Sequence, residues 1–249
     1  MENYNPFNLT GKCILVTGAS SGIGKSIAIE CSRLGAKLII LGRNAERLNS
    51  TFSLLSGTGH VIICVDLNNY DEITSKLSEI PLLNGIVYCA GIQKSSPVKN
   101  IETSEFLEVM QTNLFSTSFL NTKLLQEKKI AKNGSIVFIS STASGIVAEV
   151  GNAMYSASKG AISAYAKVVA LELVSRKIRV NCIAPAMVKT ELLDTISVEK
   201  EQLELDELRY PFGYGKPEDV AYATIYLLSD ASKWITGTNI VLDGGLTLK

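Results

Sequence analysis

The chain has a single histidine, His60, and five cysteines with no CxxC pair among them. One imidazole and scattered thiols cannot build a usual zinc site, and a Ser-His-Asp triad would have to use that one ring. Cys13, Cys31, Cys64, Cys89 and Cys182 are odd in number and irregularly spaced. That pattern fits reduced thiols inside a cell and not a disulfide framework. Four of them fall in apolar, strand-like runs, where cysteine is expected to act as a small buried hydrophobe. Charge of one sign is also lacking, since 24 Lys plus Arg balance 24 Asp plus Glu. Nothing in that balance favours nucleic acid or an anionic membrane. No apolar run reaches the length of a membrane span. The opening MENYNPFNLTGK has no basic-then-apolar targeting pattern. The expectation is a soluble cytoplasmic protein with no nucleic-acid, membrane or metal partner.

What is present is apolar and regularly spaced: 46% of the 249 residues are hydrophobic, enough for a sizeable core. Short runs recur as CILVT, KLIILG, HVIICVD, GIVYCA, SIVFIS, IRVNCIA and NIVLD. They do not alternate cleanly, as expected of strands buried on both faces. Helical patterns separate them, over 22–34, 44–55, 70–79, 102–127, 153–174 and 217–229. The last opens with Pro217, Glu218 and Asp219, a proline and two acids where a helix start favours them. Strand–helix alternation of this kind predicts a parallel sheet covered by helices on both faces. No linker, repeat or low-complexity run divides the chain, so residues 1–249 read as one α/β domain. The acidic, helix-prone stretch 190–210 interrupts the rhythm. It reads either as a lid over a site or as a solvated helix pair.

The first strand feeds TGASSGIG, Thr17 to Gly24. Gly18, Gly22 and Gly24 permit a tight turn, close approach of the backbone and close helix packing. The helix behind them points free N–H groups and a positive dipole end at its ligand. A pyrophosphate suits that position, at the carboxyl end of a first strand. The fold class predicted is therefore a single-domain Rossmann-type doubly wound parallel sheet of about seven strands.

A second pattern lies in AMYSASKGAISAY: Tyr155 and Lys159 are one helical turn apart, with only small residues between them. An ammonium about 4–5 Å from a phenol, at an effective dielectric of about 20, favours the phenolate by about 3–4 kcal/mol. A phenol so placed can give and take a proton near neutral pH.

TGASSGIG followed by YSASK resembles the short-chain dehydrogenase/reductase family. The resemblance extends from Leu9 to Leu246 through VDL, CAG, TNLFS, NCIAPAMVKTEL and WITGTNIVLDGG. It implies hydride exchange between a nicotinamide cofactor and a ketone or secondary alcohol, with Tyr155 as general acid/base. Lys159 would also bind the nicotinamide ribose. Asn113 matches the family residue that anchors a water-linked proton path. A serine should polarise the substrate carbonyl. Counting from Gly134 selects Ser141, whereas counting back from Tyr155 selects Thr142; Ser141 is preferred and Thr142 stays open. The implied cofactor contacts are Gly18, Ser20, Ser21, Gly22, Ile23, Gly24, Arg43, Asp66, Leu67, Ala90, Gly91, Tyr155, Lys159, Pro185, Val188 and Thr190. Cys89 stands where the family usually has Asn, and Ala186 where it has Gly.

The second strand ends LIILGRN, with no acidic residue between Gly35 and Ala45. NAD-specific folds usually place a carboxylate there, whereas Arg43 suits a 2′-phosphate. NADP(H) is favoured and NAD(H) stays open. The C-terminal half resembles 3-oxoacyl-carrier-protein reductases. An acidic acyl-carrier protein is therefore a candidate partner, with Lys128, Lys129, Lys132 and Arg176 as a docking patch. The alternatives are a dehydrogenase for sugars or other small alcohols using NAD(H), and a non-catalytic dinucleotide-binding regulator. The regulator would be expected to have lost Tyr155 or Lys159. The resemblance also implies a homotetramer, which the apolar circumference of Ile162–Leu173 suits.

Overall fold

The seven apolar runs become the strands of one parallel sheet in the computed structural model, which describes residues 4–191 and 200–248. The strands are β1 (Cys13–Thr17), β2 (Lys37–Gly42), β3 (Val61–Cys64), β4 (Leu83–Tyr88), β5 (Ile130–Ile139), β6 (Arg179–Pro185) and β7 (Asn239–Leu242). Their spatial order is β3-β2-β1-β4-β5-β6-β7, and every pairing is parallel.

Both faces of the sheet are dry, which is why the runs do not alternate with polar residues. Side chains on successive strand positions point to opposite faces. Ile14 and Val16 enter one core, and Leu15 between them enters the other. The first core is closed by α1 (Gly22–Arg33), α2 (Ala45–Phe52) and α8 (Pro217–Leu228), through residues such as Ile27, Leu48 and Val220. The second is closed by α3 (Tyr70–Lys76), α5 (Ser116–Gln126) and α6 (Ala153–Leu173), through Ile73, Leu120 and Ile162.

Local chemistry sets the helix starts. Asn44 accepts from the Arg47 N–H at 2.9 Å and caps α2, and Asn69 does the same for α3 from Glu72 at 3.2 Å. Pro217 begins α8, and the Asp219 carboxylate accepts from the Lys216 N–H at 2.7 Å. The continuous helix expected over 102–127 is interrupted. It consists of α4 (Thr103–Met110), a π-helical turn over Gln111–Phe115, and α5. The expectation of buried strand cysteines holds fully only at Cys182: Cys13 and Cys89 are half-buried, and Cys64 is exposed at the end of an edge strand.

Part of the acidic 190–210 stretch is a helix, α7 (Lys200–Glu207). The Tyr214 hydroxyl holds it, donating to the Leu203 carbonyl at 3.1 Å and to Asp206 at 2.8 Å. Within that stretch, residues 192–199 lie outside the described residues. Among the described residues no helix is long and apolar enough to cross a membrane.

From β1 the chain builds outward to β3, then returns to place β4 on the other side of β1. The crossovers diverge at that point and leave a crevice at the carboxyl ends of the strands.

Candidate active site

The crevice is a cleft of about 510 Å³, within the range of small-molecule and cofactor sites. Its floor is the glycine turn. Gly18 and Gly22 adopt φ of +66° and +50°, in the left-handed region that favours glycine. A Cβ on Gly18 would lie 2.8 Å from the Ala90 backbone, and one on Gly24 would lie 2.3 Å from the Gly18 carbonyl oxygen. Neither position admits a side chain, so the turn, α1 and the end of β4 close on one another. Thr17 supports that contact from below: its hydroxyl accepts from the N–H groups of Cys89 and Ala90 at 3.0 and 3.2 Å.

The Gly22 N–H at the start of α1 donates to the Glu191 carboxylate at 3.0 Å. An anionic oxygen therefore already uses the donor that suits a pyrophosphate, and a Cβ on Gly22 would meet Thr190 at 3.2 Å. The glycine cradle and the anion-accepting helix start together fit a dinucleotide.

At one end of the cleft stand Arg43, Arg47, Asp66 and Leu67. Asp66 accepts from the Asn68 N–H at 2.9 Å, which shapes the turn after β3. At the other end stand Ser141, Thr142, Tyr155 and Lys159, with Gln93, Glu149, Asn152 and Tyr210 beyond them. Of the residues proposed from sequence, Ser20, Ser21, Ile23, Ala90, Gly91, Pro185, Val188 and Thr190 also line this one cleft. Asn113 alone sits behind the wall.

The Tyr155–Lys159 pair is held by the end of β5. The Lys159 ammonium donates to the Ile139 carbonyl at 2.8 Å and lies 5.6 Å from the centre of the Tyr155 ring. Ser140, a structural hydroxyl, donates to the Lys159 carbonyl at 3.1 Å and shares a 2.7 Å hydrogen bond with Ser163. Strand and helix are therefore pinned at the turn that carries the pair. Lys159 is 5% exposed, and no salt bridge neutralises it among the described residues.

Asn113 occupies the π-helical turn and is buried. Its amide donates to Ser158 and to the Ile92 carbonyl, both at 2.9 Å, and accepts from the Ile92 N–H at 2.8 Å. The side chain thus locks the loop after β4 onto α6. A Cβ on Gly91 would come within 3.1 Å of Asn113 and 3.5 Å of the Lys159 ammonium. Glycine there lets the backbone pass over the lysine.

Ser141 and Thr142 both reach the cleft, but differently. Thr142 is 5% exposed, and its backbone is bonded to Pro185, Ile146 and Val147. Ser141 is half-buried, and its hydroxyl accepts from the Ala143 N–H at 3.2 Å, leaving its own proton free to donate. Cys89 is half-buried in the cleft wall, within reach of the Lys159 charge. Burial pushes its thiol up to about 12 even though the lysine charge opposes the shift.

The basic patch expected on one face is mostly committed to the fold. Lys129 donates to the Ile80 carbonyl at 2.7 Å and Arg176 to the Ile130 carbonyl. Lys128 and Lys132 remain as exposed charges. All four lie at the amino end of β5 and β6, across the sheet from Tyr155, so a patch of four free charges does not form.

Sequence reasoning missed Arg47, Gln93, Glu149, Asn152 and Tyr210. Only Arg47 carried a signal, being four residues beyond Arg43 and one turn into a helix whose start faces the glycine loop. The others come from loops and from the segment after α7, whose placement needs the crossovers.

Comparison with known proteins agrees with this geometry. A family model described as enoyl-(acyl carrier protein) reductase matches residues 18–247. The 3-oxoacyl-[acyl-carrier-protein] reductase FabG of Rickettsia prowazekii is 35% identical over 242 residues, covering 97% of this chain and 99% of that protein. A tropinone reductase homolog of Arabidopsis thaliana is 35% identical over 257 residues, covering 100% and 97%. A solved Beutenbergia cavernae protein, assigned as an NAD(P)-dependent gluconate 5-dehydrogenase with NADP bound at low occupancy, superposes with a TM-score of 0.88 at 28% identity, covering 98% and 100%. The chain belongs to the short-chain dehydrogenase/reductase family and is an oxidoreductase resembling 3-oxoacyl-carrier-protein reductases.

Proposed function

We propose that the protein interconverts a ketone and a secondary alcohol with NADP(H), using Tyr155 as general acid and base. One observation carries the reading: Ser141, Tyr155 and Lys159 converge on the cleft that the glycine turn floors. The nicotinamide cofactor supplies the hydride in reduction and takes it in oxidation. Ser141 donates a hydrogen bond to the substrate oxygen and so stabilises the charge that builds there. Tyr155 delivers its phenolic proton to the same oxygen, and in oxidation its phenolate takes that proton back. Lys159 stabilises the phenolate by charge, and its burial keeps water from screening it. Asn113 positions the machinery through Ser158 and the Ile92 backbone. Arg43 and Arg47 hold a 2′-phosphate at the far end. Tyr210, after α7, contributes to the substrate end of the wall.

The substrates of the relatives divide between carrier-protein-linked acyl groups and free small molecules, and both remain within this reading. The reading includes a homotetramer. On α6 Val168 and Leu171 are 56% and 75% exposed, and Val174 just after it is 58% exposed, although the opposite side of the helix is core. Trp234 and Phe212 are 97% and 90% exposed near the carboxyl end. Two separate apolar faces suit two interfaces.

The test is NADPH oxidation across a panel of ketones, with alcohols in reverse. Tyr155→Phe is expected to keep the NADP(H) Kd and to lose at least about a hundredfold in kcat. A variant with near-wild-type kcat overturns the assignment. Light scattering that shows only monomer at micromolar concentration overturns the assembly.

A further inference from the structure

The substrate end of the cleft has a charge of its own, and nothing in the reading above explains it. Resting on that reading, we propose that this compartment selects carbonyl substrates bearing an ammonium group and rejects those bearing a carboxylate, with Glu149 as the determinant. A hydroxyl-bearing neutral substrate falls between the two.

The substrate wall includes a relay of polar side chains from two places in the chain, Gln93 and the loop that carries Glu149 and Asn152. The Gln93 amide donates to the Asn152 carbonyl oxygen at 3.3 Å, and the Asn152 amide donates to the Glu149 carboxylate at 3.4 Å. Asn152 is 5% exposed, so its orientation is fixed by these two bonds. The donors of the relay point inward along it, and Glu149 ends it as an acceptor with lone pairs to spare. Such an end asks for a donor from the substrate.

No cation balances Glu149 at this end. Among the described residues, the basic side chains lining the cleft are Arg43 and Arg47 at the adenosine end and Lys159. Lys159 is bonded to the Ile139 carbonyl beneath Tyr155. Arg209, the basic group outside the wall that feels the Glu149 charge, is bonded to Asp206 at 2.6 Å. Lys189, on the same side, is bonded to Glu207 at 2.7 Å. Tyr210 completes the wall. Its hydroxyl is pushed up to about 12 by burial and by the charges of Asp206 and Glu149, so it stays neutral.

A substrate carboxylate entering here would lose water and meet an acceptor of like charge. An ammonium would gain a charge-assisted hydrogen bond. Glu149 is exposed to solvent on one side, so the discrimination is expected to be roughly tenfold in each direction and not thousands.

The test uses three matched ketones: 4-aminocyclohexanone, 4-hydroxycyclohexanone and 4-oxocyclohexanecarboxylate, each with NADPH. The expected kcat/KM order is ammonium, hydroxyl, carboxylate, spanning about a hundredfold from first to last. Glu149→Gln is expected to flatten the order, and Glu149→Lys to reverse it. Calorimetry of the three matched cyclohexanols on the NADP⁺-loaded protein reads the same order without turnover. Reduction of the neutral ketone with no charge preference, or a preference that Glu149→Gln leaves intact, overturns this inference and leaves the oxidoreductase reading standing. Charge-ordered binding without any turnover keeps the inference and counts against that reading. Absence of charge order in both assays overturns it outright.

Discussion

Under the proposed NADP(H) reading, two arginines at the β2 end of the cleft allow a quantitative prediction of cofactor choice. Arg43 follows β2 directly and Arg47 lies one turn into α2, where the Asn44 cap fixes its backbone. Both side chains are exposed, and neither takes part in an ion pair among the described residues. A 2′-phosphate carries close to two negative charges. Where water is excluded, a hydrogen bond from a guanidinium to such a group contributes about 1.5–3 kcal/mol. At exposed side chains, screening cuts this to about 1 kcal/mol, a factor of roughly five per arginine. Arg43→Ala and Arg47→Ala are each expected to lower the NADPH/NADH ratio of kcat/KM about fivefold. The double variant should lower it about twenty-five-fold, with NADH kinetics nearly unchanged. The assay is steady-state oxidation of both cofactors against one ketone, at low and high salt. Selectivity should fall as salt rises, because exposed charges are screened over about 10 Å at 0.1 M. A wild type that prefers NADH, or a ratio unmoved in the double variant, would refute the reasoning.

Thiol chemistry gives a second expectation. Burial pushes Cys31, Cys89 and Cys182 up to about 12, whereas Cys64 is exposed. Titration of the native protein with a disulfide reagent at pH 8 should show one fast thiol, absent in Cys64→Ser; fast labelling of Cys89 would contradict it. A third concerns acid. Lys12 bonds Asp230 at 2.8 Å and the Leu228 carbonyl at 3.1 Å, tying the end of α8 to the residue before β1. Lys12 holds the Asp230 carboxyl below its ordinary value. A depressed carboxylate adds stability above its unfolded value, and that stability is lost as pH falls through the folded one. Wild type should therefore lose Tm faster than Asp230→Asn below about pH 4. The difference should be small because the group is mostly exposed, and parallel Tm curves would exclude the tie.

The fold was legible because buried parallel strands leave continuous apolar runs, and such runs are hard to mistake between helices of different period. The glycine turn and the Tyr155–Lys159 pair were legible because each is complete within a few consecutive residues. The π-helical turn at Asn113 was not, since QTNLF is as helical in composition as its flanks, and hydrogen-bond slippage leaves no mark on periodicity. Glu149, Asn152 and Gln93 were not legible either. Their role depends on one another, and Gln93 is bonded to a residue 59 positions away. The exposed Cys64 was misread because its run looks like its neighbours; only the strand order makes β3 an edge.

The position of β1 also governs how the molecule is made. β1 leaves the ribosome well ahead of β4, so one of its edges has no partner until β4 follows, since Ile14 pairs with Gly85. At ordinary rates of synthesis that interval is on the order of 4–14 s. Throughout it, an almost wholly apolar strand presents unpaired backbone groups, the kind of edge on which strands of other chains add. The first half of the sheet is thus exposed to aggregation for longer than isolated strand pairing takes. A chain ending after β3 keeps that edge permanently bare, and it is expected to precipitate where the full-length chain stays in solution.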